Sequence, residues 1–250
     1  MDILRLCYYF ICVSIAFIIK GLVGFGDPLV STPLLSVSLP NSVITPGLLP
    51  VSIVMNTRVV WMNRKHFSGR VVFPIAAFVL LGCIPGTLLL RFGSPVGLKL
   101  ALGVLIIGLG IEMLTRKPGT GRRPNAVVRS VVSFFSGVTA GLFGINLFFV
   151  AYLERVSLRR EEFRSNACFV FLIEGLFRSV LYIAGAMFSR ESLILSVVAL
   201  PAAFLGMKLG ALLDRKVSDQ LSHRFIIYCF ILGGVSTVVY AVLQLRAMGM

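Results

Sequence analysis

Arg58 and Arg178 each lie inside a long apolar stretch, 34 residues after a glycine of a glycine-rich break (Gly24 and Gly144). An arginine within a membrane span is costly and as a rule faces a cavity or a partner. Its planar fork of donors suits a planar or tetrahedral oxyanion. Each also has a plainer reading. Arg58 is close to the polar segment 63–70 and can snorkel towards it, and Arg178 follows Glu174 by one helical turn and can pair with it. Glu174 and Asp27 are candidates to carry a coupling proton, although Asp27 is read first as a helix-start cap. Lys20 and Lys208 are either pathway charges or side chains snorkelling from helix ends. The breaks themselves are Gly21-Leu22-Val23-Gly24-Phe25-Gly26 and Gly137-Val138-Thr139-Ala140-Gly141-Leu142-Phe143-Gly144. Glycines there let the backbone turn sharply and approach a ligand closely. Gly24, Phe25, Gly26 and Asp27 at the first break, with Gly144 and Asn146 at the second, are therefore candidate substrate-binding residues beside Arg58 and Arg178. Pro28 suits the first turn of a half-helix, whose N-terminal amides and dipole favour an anion. Asn146 is placed to cap the next half-helix or to donate to a ligand. The competing reading makes both breaks simple kinks packed against neighbours.

No catalytic set accompanies these residues. His66 and His223 stand in loops or at a span edge without a metal-binding spacing, and neither a GxSxG nor a P-loop pattern occurs. Cys7, Cys12, Cys83, Cys168 and Cys229 all fall in apolar segments without a CxxC or Cys/His cluster, so no metal, cofactor or disulfide framework is expected. An enzyme is not the expected reading.

The elements that must position these side chains are membrane helices. Hydrophobic residues make up 57% of the 250 and charged residues 14%, against roughly a quarter charged in soluble domains. Mean hydropathy is +0.95. Apolar runs long enough to cross a bilayer recur throughout. The predicted spans are 3–23 and 28–39 around the first break, then 43–62, 71–90 and 96–115. Around the second break they are 126–141 and 145–157, followed by 163–188, 191–213 and 221–245. The first run is read as a retained segment rather than a signal peptide, because Lys20 ends it and no small-residue cleavage site follows. The net charge of +14 reflects Lys and Arg gathered in short loops, which orient membrane helices; nucleic acid is not an expected partner.

The two halves repeat. Leu22, Gly24 and Arg58 correspond to Leu142, Gly144 and Arg178 at an offset of 120, and Leu81-Gly82-x-x-x-Gly86 corresponds to Leu205-Gly206-x-x-x-Gly210 at an offset of 124. The GxxxG pairs are read as close helix-packing faces. With Lys20, Arg58, Arg178 and Lys208 set aside as intramembrane, counting each broken segment as one crossing splits the other basic residues eleven to nine. Counting each as a hairpin that returns to its own side puts fifteen on one side and five on the other. The second arrangement has the expected cytoplasmic bias and makes the halves inverted repeats, with breaks meeting near the midplane as in many carriers.

The pattern resembles the sulfite exporter TauE/SafE family of sulfonate and sulfite permease-like membrane transporters. Gly24-Phe25-Gly26-Asp27-Pro28 with Pro33-Leu34-Leu35 is similar to the family's first motif, and Gly141-Leu142-Phe143-Gly144-Ile145-Asn146 to its second. The resemblance continues through Arg160–Ala167, Leu181-Tyr182-Ile183-Ala184-Gly185 and Leu205-Gly206 to Gly210, covering nearly the whole chain. Asp27 and Pro28 depart from the usual glycines, as do Asn146, Leu147 and Phe148, and the second Pro-x-Leu is absent. The resemblance implies movement of small sulfur-containing or carboxylate anions across the inner membrane.

The sequence thus predicts an all-α integral membrane protein. It forms one membrane domain over 1–250, with repeat one at 1–115, a basic loop at 116–125 and repeat two at 126–250. Each repeat is a glycine-broken helix or hairpin followed by three transmembrane helices. The expected function is a secondary transporter of a small anion such as sulfite, an organosulfonate or a carboxylate, multi-pass in the inner membrane. Its partners are the lipid bilayer and that anion, with room for a homodimer. A rival reading, which the altered tip glycines favour, is a non-transporting scaffold or partner subunit that retains the carrier fold.

Overall fold

A glycine in the left-handed region ends a helix cleanly, because it alone takes positive φ without a Cβ clash. Both breaks are built this way. In the computed structural model, Gly24 (φ 96°) and Gly144 (φ 72°) donate their amides to the carbonyls four residues back, Lys20 at 2.7 Å and Ala140 at 2.8 Å. The structure describes residues 3–92, 125–156 and 160–214 and scattered positions within 97–115 and 228–243. Among them it is all-helical: α1 (Ile3–Val23), α2 (Asp27–Leu35), α3 (Asn41–Asn63), α4 (Gly69–Phe92), α5 (Ala126–Phe143), α6 (Leu147–Val156), α7 (Arg160–Ala184) and α8 (Arg190–Asp214), with a 3₁₀ turn at Arg64–His66. About half of the predicted span 96–115 and a third of 221–245 are described, and those positions are helical; the loop 116–125, apart from Asn125, lies outside the described residues.

Six of these helices are long and apolar enough to cross a membrane. The chain is a multi-pass membrane protein. The outward faces of the long helices carry exposed Phe78, Leu88, Val180 and Val197, as contact with lipid requires. By contrast α2 and α6, of 9 and 10 residues, rise only about 14–15 Å and are too short to cross.

The two breaks are embedded in a reciprocal arrangement. Helix α1 packs along α8, α5 packs along α4, and α3 packs against α7 at the centre. Exchanging the halves (α1 with α5, α3 with α7, α4 with α8) turns the first pair into the second and leaves the third unchanged. The α3–α8 and α4–α7 contacts exchange in the same way.

Small residues make the two long seams possible. A Cβ added to Gly82 would meet the carbonyl oxygen of Phe134, and one added to Gly86 that of Val138. Across the other seam Gly206 lies against Ser14 and Gly210 against Gly21. The GxxxG pairs therefore do what close backbone approach demands in lipid, where dispersion rather than water expulsion holds helices together.

Candidate functional site

The two tips face one common cavity. Phe25, Gly26 and Asp27 from the first break line it together with Gly144, Ile145 and Asn146 from the second. Helix α3 contributes Leu49, Ser52 and Asn56, α7 contributes Phe171, Glu174 and Arg178, and α1 contributes Lys20. The cavity leaves ≈ 50 Å³ for the centre of a water-sized sphere, several times the roughly 10–15 Å³ that one water needs on that measure. This is room for a small ion.

Four buried charges stand around it, in two pairs. Lys20 Nζ donates to Asp27 Oδ1 at 2.8 Å, and Ser52 Oγ donates to Asp27 Oδ2 at 3.1 Å. Lys20 is 1% exposed and Asp27 4%. The helix-start cap expected of Asp27 is not formed: Gly26, with φ 95°, occupies the N-cap position without a side-chain bond. The carboxylate turns instead to the lysine seven residues earlier, across the break. Lys20 does not snorkel; it is held by this pair and lies 5.5 Å from the Phe17 ring centre.

On the second side, Arg178 Nη1 lies 2.8 Å from Glu174 Oε1 and donates to the Ala140 carbonyl at 2.5 Å. Asn146 Nδ2 donates to Glu174 Oε2 at 2.9 Å. The salt bridge foreseen for Arg178 is thus present, and the same guanidinium also holds the end of α5. Three lining atoms, Arg178 Nε, Glu174 Oε1 and Asn56 Oδ1, have no hydrogen-bond partner among the described residues. The Glu174 oxygen is nonetheless ion-paired with Arg178 Nη1, which leaves Arg178 Nε and Asn56 Oδ1 as the unsatisfied atoms. Such unsatisfied buried atoms are uncommon in native proteins and point to something they can hold.

Fewer backbone amides are open to a ligand than half-helix N-termini normally offer. Pro28 has none, Leu29 donates to the Gly26 carbonyl at 3.1 Å, and Phe149 donates to Ser136 Oγ at 3.1 Å. Ser136, reaching across from α5, therefore caps α6. The Asn146 side chain does not do so; it binds Glu174, while its carbonyl accepts from Val150.

Gly24 and Arg58 fall outside this cavity. Both line a neighbouring one with Lys20, Arg164 and Lys208. Arg58 is exposed, its guanidinium 5.7 Å from the Phe204 ring centre. The sequence repeat equates Arg58 with Arg178, but the structure gives the two different surroundings.

Sequence reasoning missed four residues here. Ser52 and Asn56 stand one turn apart on α3, and polar positions at that spacing within an apolar span were a usable signal. Lys20 was weighed but not placed at the site. Arg164 lies on α7 and reaches the first tip. Its guanidinium donates to the Leu22 carbonyl, to the Val23 carbonyl at 3.3 Å and to Asp214 Oδ2 at 3.0 Å. Helix α7 thus holds the end of α1 with Arg164 and the end of α5 with Arg178, fourteen residues or about 21 Å apart. At each end the arginine meets carbonyls at the negative pole of a helix, where a cation is favoured.

The profile of the family described as "Sulfite exporter TauE/SafE" matches residues 9–237. The chain belongs to the sulfite exporter TauE/SafE family. This is a family of membrane transporters and not of enzymes, so TauE/SafE membership and six candidate spans together make the protein a member of a transport family in the membrane. No curated relative and no solved structure matches the chain.

Proposed function

We propose that this TauE/SafE protein is a secondary carrier of a small oxyanion (sulfite, an organosulfonate or a carboxylate) across the inner membrane, coupled to protons. The observation that carries this reading is the convergence of both glycine breaks and both buried ion pairs on one cavity. The lining charges Lys20, Arg178, Asp27 and Glu174 sum to zero. Adding a lone anion to a neutral, buried site is strongly unfavourable. Adding an anion with a proton keeps the site neutral. Protonating Asp27 or Glu174 frees Lys20 or Arg178 from its partner, and the freed cation then binds the anion. The unpartnered Arg178 Nε supplies a further donor. The reciprocal helix contacts support two related halves, and the basic-residue bias of the hairpin arrangement supports their being inverted.

The test is flux of labelled sulfite, an organosulfonate and a carboxylate into proteoliposomes, with and without a pH gradient. Accumulation of at least one of them driven by the gradient is expected. Asp27→Asn or Glu174→Gln should abolish that drive, and exchange of anion for anion should survive in at least one of the two. Flux indifferent to the pH gradient would remove the coupling. No flux of any anion, together with a stable complex with another membrane protein, would favour the scaffold reading suggested by Asp27 and Pro28 at the first tip.

A further inference from the structure

Three cavities lie in order along α3. The central one touches it at Leu49, Ser52 and Asn56. Towards the C-terminal end of the helix a wider one is bounded by Arg58, Val59, Met62 and Asn63. Towards the N-terminal end a narrow one is bounded by Ile44, Thr45 and Leu48. From Ile44 to Asn63 is nineteen residues, about 28 Å of helix, close to the roughly 30 Å thickness of a bilayer's hydrocarbon core. Adjacent cavities share walls. Lys20 borders the wide and central spaces, while Ser52, Gly144 and Arg178 border the central and narrow ones.

The two outer spaces differ in size and in charge. The wide one leaves ≈ 230 Å³ on the measure used above and the narrow one ≈ 20 Å³. The wide one is lined by Lys20, Arg58, Arg164 and Lys208 and, among the described residues, by no carboxylate. Lys20 and Arg164 are engaged with Asp27 and Asp214. Arg58 and Lys208 are both exposed and have no carboxylate partner among the described residues. Clefts lined by one sign of charge raise the local concentration of the opposite ion.

We propose that the anion's path follows α3, that the wide cavity is its access vestibule, and that Arg58 and Lys208 recruit the anion there. The path stands open at the end of α3 that leads into the 63–70 segment. At the other end it narrows to the small cavity between the buried side chains of Ile44, Leu48 and Phe143, which we take as its closed end. Lys20, whose ammonium is tied to Asp27 across the first break, separates the vestibule from the central cavity. An anion leaving the vestibule therefore meets first the cation that protonation of Asp27 would release. This assignment rests on the carrier reading above and adds the route and its present state.

The experiment uses single cysteines introduced at Met62, Asn56 and Leu48 in protein whose native cysteines are replaced by alanine, reconstituted in liposomes. A sulfonated maleimide and a trimethylammonium maleimide, neither able to cross the bilayer, are applied from each side. Met62→Cys should react from one side only, and with the sulfonated reagent about tenfold faster than in the Arg58→Gln, Lys208→Gln background, a difference that high salt removes. Leu48→Cys should stay unreacted from both sides over the same exposure. In the native-cysteine protein the double substitution should raise the half-saturating anion concentration and leave the maximal rate nearly unchanged. Equal reactivity of Leu48→Cys and Met62→Cys would overturn the open and closed ends. Equal rates for the two reagents at Met62→Cys would overturn the vestibule. If no anion is carried at all, the carrier reading fails separately, and the labelling pattern still decides the route.

Discussion

Replacing Lys20 by methionine tests the central ion pair directly. The substitution keeps an unbranched side chain, one atom shorter, and removes its charge. Asp27, 4% exposed, then keeps only the Ser52 hydroxyl at 3.1 Å. Removing one partner of a buried ion pair costs about 3–5 kcal/mol, whereas replacing both by uncharged groups is often near neutral. For a chain of this size each kcal/mol moves Tm by roughly 2–4 °C, so Lys20→Met should lower Tm by roughly 6–20 °C. Asp27→Asn should cost less than Lys20→Met. An amide oxygen can still accept from Lys20, and the Phe17 ring at 5.5 Å offers the stranded ammonium up to about 2 kcal/mol. The double variant Lys20→Met, Asp27→Asn should recover most of the loss. The assay is thermal unfolding of the purified protein in detergent, read as a double-mutant cycle. A double variant as unstable as the sum of the two singles would show that Lys20 and Asp27 are not coupled, and the charge-balance argument for proton-linked binding would fall with it.

Three further outcomes follow from the same geometry. Gly82→Ala, which drives a methyl onto the Phe134 carbonyl, should cost about 1–3 kcal/mol by overpacking; Gly108→Ala, with nothing within 4 Å, should leave Tm unchanged or raised. Gly24→Ala should be more damaging than Gly144→Ala in both Tm and flux. Both force positive φ on a side chain, at about 1–2 kcal/mol, but only at Gly24 does the new methyl strike the Arg164 side chain, the nearest atom at Gly144 being 3.6 Å away. Arg164→Gln should lower Tm and suppress flux, and Arg164→Lys should restore only part of either, because a lysine cannot span Asp214 and two carbonyls with one rigid fork; full recovery in the lysine variant would show that charge alone is needed there.

Much of the architecture was legible because it rests on local rules. Glycine is the residue that turns a helix end at positive φ, so the breaks at Gly24 and Gly144 could be read directly. Apolar length marks membrane helices. Small residues four apart mark close seams, which is how Gly82, Gly86, Gly206 and Gly210 behave. The arginines show where such rules end. Arg58 and Arg178 occupy matching positions in the repeat, yet the residue one turn before Arg178 is Glu174 and the residue one turn before Arg58 is Val54. Arg178 therefore pairs and stays buried, while Arg58 turns outward to Phe204. That much was available from the sequence.

The remainder required the tertiary structure. Lys20 meets Asp27 because the break at Gly24 to Gly26 reverses the chain, and no helical periodicity runs through a reversal. Arg164 reaches the end of α1 because α7 passes beside it, a contact between residues about 140 positions apart. The order of the three cavities along α3 depends on which neighbours close each level, and that is set by six helices at once. The sequence alone determined a membrane chain with two broken helices and charges too costly to be idle. Only the fold decided which charges face one another, because electrostatic pairing depends on distance through space while sequence records only distance along the chain.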